Sequence, residues 1–315
     1  MKSPLVAATM LCGLLMTACM PDAVYTRVED LVFEDPALQD CVVKEARRND
    51  WVDAGHVLKL RCANPEGRKI SSLSGIQHLN NLRELYLAHN EISDISPLTE
   101  LRKLERLDLD ENQVMQVPAG LSHISIRHVS LNHNEINDLG EIAGLANLES
   151  LSLAANGIED VSALAAVTSL QALSLTRNDI SDISALGALK ELRELDLSNN
   201  EIEDISVMEQ LPLLEHLYLG GNQIKDVSPI SGLRALRELD LSDNGLTNIE
   251  PLHLLGAIWR LNLDQNPIED ISPLLDLGEL ELVSLKGVGN ISCSTVDQLT
   301  SELGKETVIG DGECF

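Results

Sequence analysis

Asparagine returns at one fixed interval through most of this 315-residue chain. Asn90, Asn112, Asn134, Asn156, Asn178, Asn200, Asn222, Asn244 and Asn266 follow one another every 22 residues. Eight positions before each stands an aliphatic residue, from Leu82 to Ile258. Two more stand five and three positions before, as Leu195 and Leu197 precede Asn200. One further copy, Leu280, Val283 and Leu285, carries Val288 in place of the Asn. A single such unit cannot bury its own apolar side, whereas a stack can, each unit touching only its neighbours. The L-x-L part alternates with period two and reads as a short strand, so the stacked strands form one parallel sheet. The Asn falls where the chain turns sharply away. Its amide suits backbone groups that the turn leaves unpaired, which makes the Asn ladder structural.

The L-x-x-L-x-L-x-x-N pattern resembles the leucine-rich repeat family. Its D-I-S-P-L continuation is most similar to the 22-residue class of bacterial internalin-like proteins. The resemblance covers residues 57–291. It implies an α/β leucine-rich repeat solenoid, a curved right-handed coil stack with a parallel concave sheet, and a concave face used for partners. On the outer side, Asp94, Asp138, Asp160, Asp182, Asp204, Asp226 and Asp270 form an acidic strip, read as a solvated face. Ser96, Ser162, Ser184, Ser206, Ser228 and Ser272 are expected to cap the turn that follows. The coil at 113–125 is irregular, with Pro118 and Gly120 marking a detour on the convex side.

Naked solenoid ends would expose core. Residues 31–56 are read as an N-terminal cap with a helix opening at Pro36. Residues 292–315 are read as a C-terminal cap with a helix through Val296, Leu299 and Leu303. Cys41, Cys62, Cys293 and Cys314 form two local pairs, each 21 residues apart. Three pairings are possible, and the local one is the most economical. The expectation is therefore disulfide-closed caps at both ends, with no metal site and no cofactor.

Residues 1–18 have the charged start and apolar run of an export signal. The segment Met16-Thr17-Ala18-Cys19 resembles the lipobox of bacterial lipoproteins, which implies acylation of Cys19 and a short tether over 19–30. The alternative is a plain secretion signal. Met20 after the Cys implies the outer membrane of a Gram-negative cell. Membrane contact is then expected through the lipid anchor alone.

The formal net charge is −27, which repels nucleic acid and anionic membrane. Aromatic residues make up 2% of the chain, few for an enzyme core, and no glycine-rich phosphate loop or activated nucleophile is present. No enzyme is expected. On the concave face the middle coils are bland (Ser152, Ala172, Ser174). The first coils carry Tyr86, Arg106, Asp108 and His128. The later coils carry Glu194, Asp196, His216, Tyr218, Glu238, Asp240, Trp259 and Arg260. Aromatic and Arg side chains dominate interface hot spots. The expected function is a monomeric, lipid-anchored envelope module binding an unknown protein or a glycan on this face, preferentially at the later coils. The alternative is an envelope scaffold without a dedicated ligand.

Overall fold

The computed structural model describes residues 26–63, 67–289, 291–303 and 308–311; of residue 123 it describes the backbone alone. Twelve strands form one parallel sheet in chain order. They are β1 (Lys59–Arg61), β2 (Glu84–Tyr86), β3 (Arg106–Asp108), β4 (His128–Ser130), β5 (Ser150–Ser152), β6 (Ala172–Ser174), β7 (Glu194–Asp196), β8 (His216–Tyr218), β9 (Glu238–Asp240), β10 (Arg260–Asn262), β11 (Leu282–Leu285) and β12 (Val308–Gly310). Neighbouring strands in the array align one repeat apart, so Glu194 faces His216, which faces Glu238, which faces Arg260. The central residue of each repeat strand is buried while its two flanking residues look out. That alternation is what L-x-L demands of a sheet with one dry face.

Each coil then runs extended and closes with a short 3₁₀ turn, such as Ser162–Ala166 or Ser184–Ala188. One coil shows how the core is filled: Leu192, Leu195, Leu197, Ile202, Ile205, Met208 and Leu211 are all buried. Each such side chain contributes roughly 1.5–3 kcal/mol on burial. The irregular coil keeps this core, because its turn, Ala119–His123, still delivers Leu121 with Ile124 after it. Gly120 belongs to that detour: a Cβ there would lie 2.7 Å from Thr99 Cγ2.

The Asn side chains stitch each coil to the one before. The Oδ1 of Asn178 accepts from the backbone N–H of Ile158 in the preceding coil, at 3.1 Å. Its Nδ2 donates to the carbonyls of Leu153, also in the preceding coil, at 3.0 Å and of Leu175 at 2.9 Å. The same three bonds recur at Asn112 and Asn200. The residue before each ladder Asn is left-handed, with φ of 60° at His89, 54° at Ala155 and 57° at Arg177. Gly221 and Gly287 occupy the same phase, where a Cβ would collide with Asn199 and Gln265 of the preceding coil.

The caps of the outer turns differ from expectation. Asp94, Asp160, Asp182, Asp204, Asp226 and Asp270 each accept the N–H of the Ser two residues on, at 2.7–2.8 Å. Asp138 does the same for Gly140. The aspartate therefore caps the turn, and the serine is its first residue. The bonds from Ser96 and Ser162 hold the Asp94 and Asp160 carboxyls below the ordinary range.

Helix α1 (Pro36–Arg48) closes the first coil. Asp35 caps it through the N–H groups of Ala37 and Leu38. Its second oxygen accepts from the N–H and hydroxyl of Ser71 and the N–H of Ser72. Burial opposes ionisation of this carboxyl, yet the combined bonds leave its pKa lowered. Residues 26–30, read above as tether, join the cap: Ala54 N–H donates to Thr26 O, and Val28 is buried.

The expectation of disulfide-closed caps at both ends is corrected. Among the described residues one disulfide is placed, Cys41–Cys62, with Cα atoms 5.8 Å apart at the N-terminal end. Cys314 lies outside the described residues. At the C-terminal end the described residues close the stack by packing and backbone pairing. Helix α2 (Cys293–Leu303) buries Val296 and Leu299, and β12 adds a strand parallel to β11. Backbone pairing thus extends the sheet one strand past the last repeat.

The ladder gives a direct test. Asn178→Ala leaves one N–H and two carbonyls without their partner and is expected to cost roughly 2–4 kcal/mol in chemical denaturation. Asn178→Asp sets a carboxylate against two carbonyls and should cost at least as much. The exposed Asn137→Ala should stay within about 0.5 kcal/mol of the parent.

Candidate functional site

The outward residues of the strands form two groups separated by a plain stretch. Tyr86, Arg106, Asp108 and His128 lie on β2 to β4. Glu194, Asp196, His216, Tyr218, Glu238, Asp240 and Arg260 lie on β7 to β10. Between them β5 and β6 present Ser150, Ser152, Ala172 and Ser174.

In the first group the polar groups are largely satisfied by one another. Arg61 stacks on the Tyr86 ring with its guanidinium 4.4 Å from the centroid, and Lys59 Nζ lies 5.0 Å away. Tyr86 donates to Glu84 Oε2 at 2.8 Å, and Lys59 pairs with the same carboxylate at 2.6 Å. Burial pushes the Asp108 pKa up and nearby Asp110 adds to it, against the N–H bond from Asp110 and the charges of His89 and Arg61. His128 is pushed down by burial and by Arg106, with Glu149 opposing, so it is neutral at neutral pH. His89 Nδ1 meets Glu111 at 2.6 Å.

The second group is arranged around one carboxylate. Glu238 receives the Tyr218 hydroxyl at 3.1 Å, with His216 Nδ1 at 3.6 Å and Arg260 Nη1 at 4.0 Å. Burial, then the charge and hydrogen bond of Glu238, push the Tyr218 phenol up to about 12. Asp240 is committed internally, accepting from Ser242 N–H and hydroxyl and from Asn262 Nδ2. Asp196 accepts the Ser198 N–H. Glu194 is exposed, and among the described residues no cation pairs with it. Trp259 stands apart from this cluster. It precedes β10 and lies on the rim, beside Arg237, Ala257, Glu279 and Glu281.

The rim itself carries a feature that reading the strands one at a time misses. The residues just before the strands alternate in charge along the stack. Arg83 pairs with Glu105, Arg127 with Glu149, and Arg193 with Glu215. The signal was present as a change of sign at constant phase within the repeat. Among the described residues, no group of three or more His, Cys, Asp or Glu side chains is placed to hold a metal ion.

Two leucine-rich repeat family models match the chain. One, "Leucine rich repeat", covers 147–202 and 168–224. The other, "Leucine Rich repeats (2 copies)", covers 80–123, 124–166 and 212–252. No curated protein matches in sequence. Among solved structures, an internalin from Listeria monocytogenes is 27% identical with a TM-score of 0.72, over 93% of this chain and 95% of that one. A leucine-rich repeat protein of Leptospira interrogans is 22% identical with a TM-score of 0.60, over 76% and 74%. The functional domain of InlJ from Listeria monocytogenes is 19% identical with a TM-score of 0.57, over 76% and 60%. The chain belongs to the leucine-rich repeat proteins. Its solenoid is internalin-like.

The expected address is corrected by the same likenesses. The internalin at 27% identity comes from Listeria monocytogenes, a Gram-positive bacterium, so this likeness does not carry the expected Gram-negative outer-membrane location. Cys19 and the segment that prompted that expectation lie outside the described residues.

The phenol is a built-in reporter of the second group. The difference in phenolate absorbance between the parent and Tyr218→Phe should titrate near 12. Glu238→Gln removes a negative charge that opposes phenolate formation, so it should move that titration down. A Tyr218 titration at the ordinary phenol value in the parent would contradict the geometry.

Proposed function

We propose that this chain is a lipid-anchored protein-binding module of the internalin-like 22-residue repeat class, and that its partner docks on the concave face at β7 to β10. The observation that carries this reading is the contrast along the sheet. At β2 the ring of Tyr86 is covered by the chain's own cations. At β8 Tyr218 carries no stacked cation among the described residues and is flanked by Glu194, Asp196, Glu238 and Asp240. Half-buried aromatic area beside carboxylates suits a basic or mixed protein surface, and the charge would speed encounter at low salt. A glycan is the other ligand class that this face would suit.

The test is cross-linking capture from the native envelope with the parent, Tyr218→Ala and Glu194→Lys. The charge reversal is placed at Glu194 because the alternative carboxylate, Asp240, holds the backbone of its own turn. Loss of one specific partner in both variants, with unchanged melting, is the expected result. Unchanged capture removes the patch from consideration. The absence of any specific partner for the parent moves the scaffold reading ahead.

The anchor is proposed from Met16-Thr17-Ala18-Cys19. Several acyl chains at Cys19 would hold the domain at a membrane without any membrane-binding surface, each buried methylene contributing about 0.8 kcal/mol. Cys19→Ala should move the protein out of the membrane fraction or leave it unprocessed. A variant processed and fractionated like the parent would remove the anchor.

A further inference from the structure

The charge ladder on the rim stops pairing at one end. Arg193 and Arg237 share Glu215, at 2.5 and 3.6 Å. Alternation then calls for a carboxylate in the next coil and a cation in the one after. The chain places Trp259 and Glu281 there. Trp259 is half-buried and lines an open cleft with Arg237, Ala257, Glu279 and Glu281. Among the described residues no cation stacks on its ring, and none pairs with Glu279 or Glu281, both exposed. Arg237, the cation lining the cleft, is held by Glu215 on its far side.

An indole face beside two carboxylates is a receptor for a planar cation. The ring quadrupole attracts a guanidinium over its face, and the carboxylates accept the N–H groups at its edge. We infer that Trp259, Glu279 and Glu281 form a rim site for an arginine side chain of the protein partner, which completes the ladder where the chain leaves it open. The inference rests on the protein-binding reading above and extends its footprint. Arg260, the next residue, reaches towards Glu238, so the rim site and the concave patch adjoin. An apolar occupant fits less well, because it would strip water from Glu279 and Glu281 without giving either a partner. Lysine fits less well than arginine, because a compact ammonium cannot cover the ring and fork to both carboxylates.

The chain has two tryptophans, Trp51 and Trp259. Trp51→Phe therefore leaves Trp259 as the one indole emitter. Titrating this full-length variant with a hexa-arginine peptide should give a saturable change in Trp259 emission. Adding Glu279→Lys with Glu281→Lys should weaken binding by roughly tenfold. Adding the charge-matched pair Glu135→Lys with Glu201→Lys, on exposed positions away from the rim, should leave it within about twofold. Hexa-lysine should bind more weakly than hexa-arginine. No emission change at saturating peptide overturns the inference, and so does an equal loss from the rim pair and the charge-matched pair, which is what attraction to a net charge of −27 alone would give. The readout is separate from capture at the concave patch. A failed Tyr218→Ala and Glu194→Lys experiment leaves this titration intact, and a flat titration leaves the patch untouched.

Discussion

Each coil leaves the sheet through a turn whose backbone groups lack partners in their own coil, and one buried amide supplies them. Asn178 accepts from Ile158 N–H and donates to Leu153 and Leu175 carbonyls, so it binds its own turn and the coil before it together. The bond pattern sets the spacing of the stack as firmly as the leucines do. It also forces the residue before the Asn into the left-handed region, at a cost of roughly 1–2 kcal/mol for a residue with a Cβ. The chain accepts that cost at His89, Glu111, His133, Ala155 and Arg177. It uses Gly221 and Gly287 where Asn199 and Gln265 of the preceding coil fold over the same spot. Glycine therefore appears where space as well as φ requires it. At Val288 there is no amide, the ladder stops, and α2 with β12 takes over the end of the stack.

The repeat was legible because phase alone fixed it. A residue three or five positions before the Asn had to be buried, and Leu195 and Leu197 are. Features that depend on which of two suitable groups acts were less legible. Asp160 and Ser162 are both good turn caps. The sequence cannot say that the carboxylate accepts and the serine N–H donates, since that choice depends on where the 3₁₀ turn begins. The strand Val308–Gly310 was missed because three residues after a helix carry no periodicity; it is defined by pairing with Val283, Ser284 and Leu285. The tether was drawn too long because Thr26 and Val28 bind the cap through backbone bonds to Ala54 and Val52, which no side chain announces.

The candidate face was legible as a list and not as a geometry. Glu194, His216, Glu238 and Arg260 do align across four strands. Trp259 does not join them, because it comes one residue before the strand and strand parity turns it to the rim. The centre of the group is Glu238, which holds Tyr218, while His216 and Arg260 stand near it. Tyr86, equally prominent in the sequence, is covered by Arg61 and Lys59 from the first strand. The difference between the two tyrosines lies in the preceding coil, 25 residues away in one case and absent in the other.

A stack of near-identical coils faces an electrostatic problem of its own. A carboxylate repeated at one phase recurs every 4.8 Å or so up the stack, and adjacent like charges at about 4 Å repel by about 1 kcal/mol even in water. The chain meets this on its two surfaces differently. On the convex side each aspartate binds a backbone N–H, and for Asp182 the bonds from Ser184 hold the carboxyl below its ordinary range. On the rim the sign alternates, so neighbours attract. Other carboxylates have neither device, Glu135 and Glu201 among them. What sets Glu194, Glu279 and Glu281 apart is their place in the later coils, beside the aromatic rings of Tyr218 and Trp259. On the rim, where Arg83, Glu105, Arg127, Glu149, Arg193 and Glu215 meet opposite charges, the end left open at Trp259 and Glu281 is where a cation supplied from outside gains most.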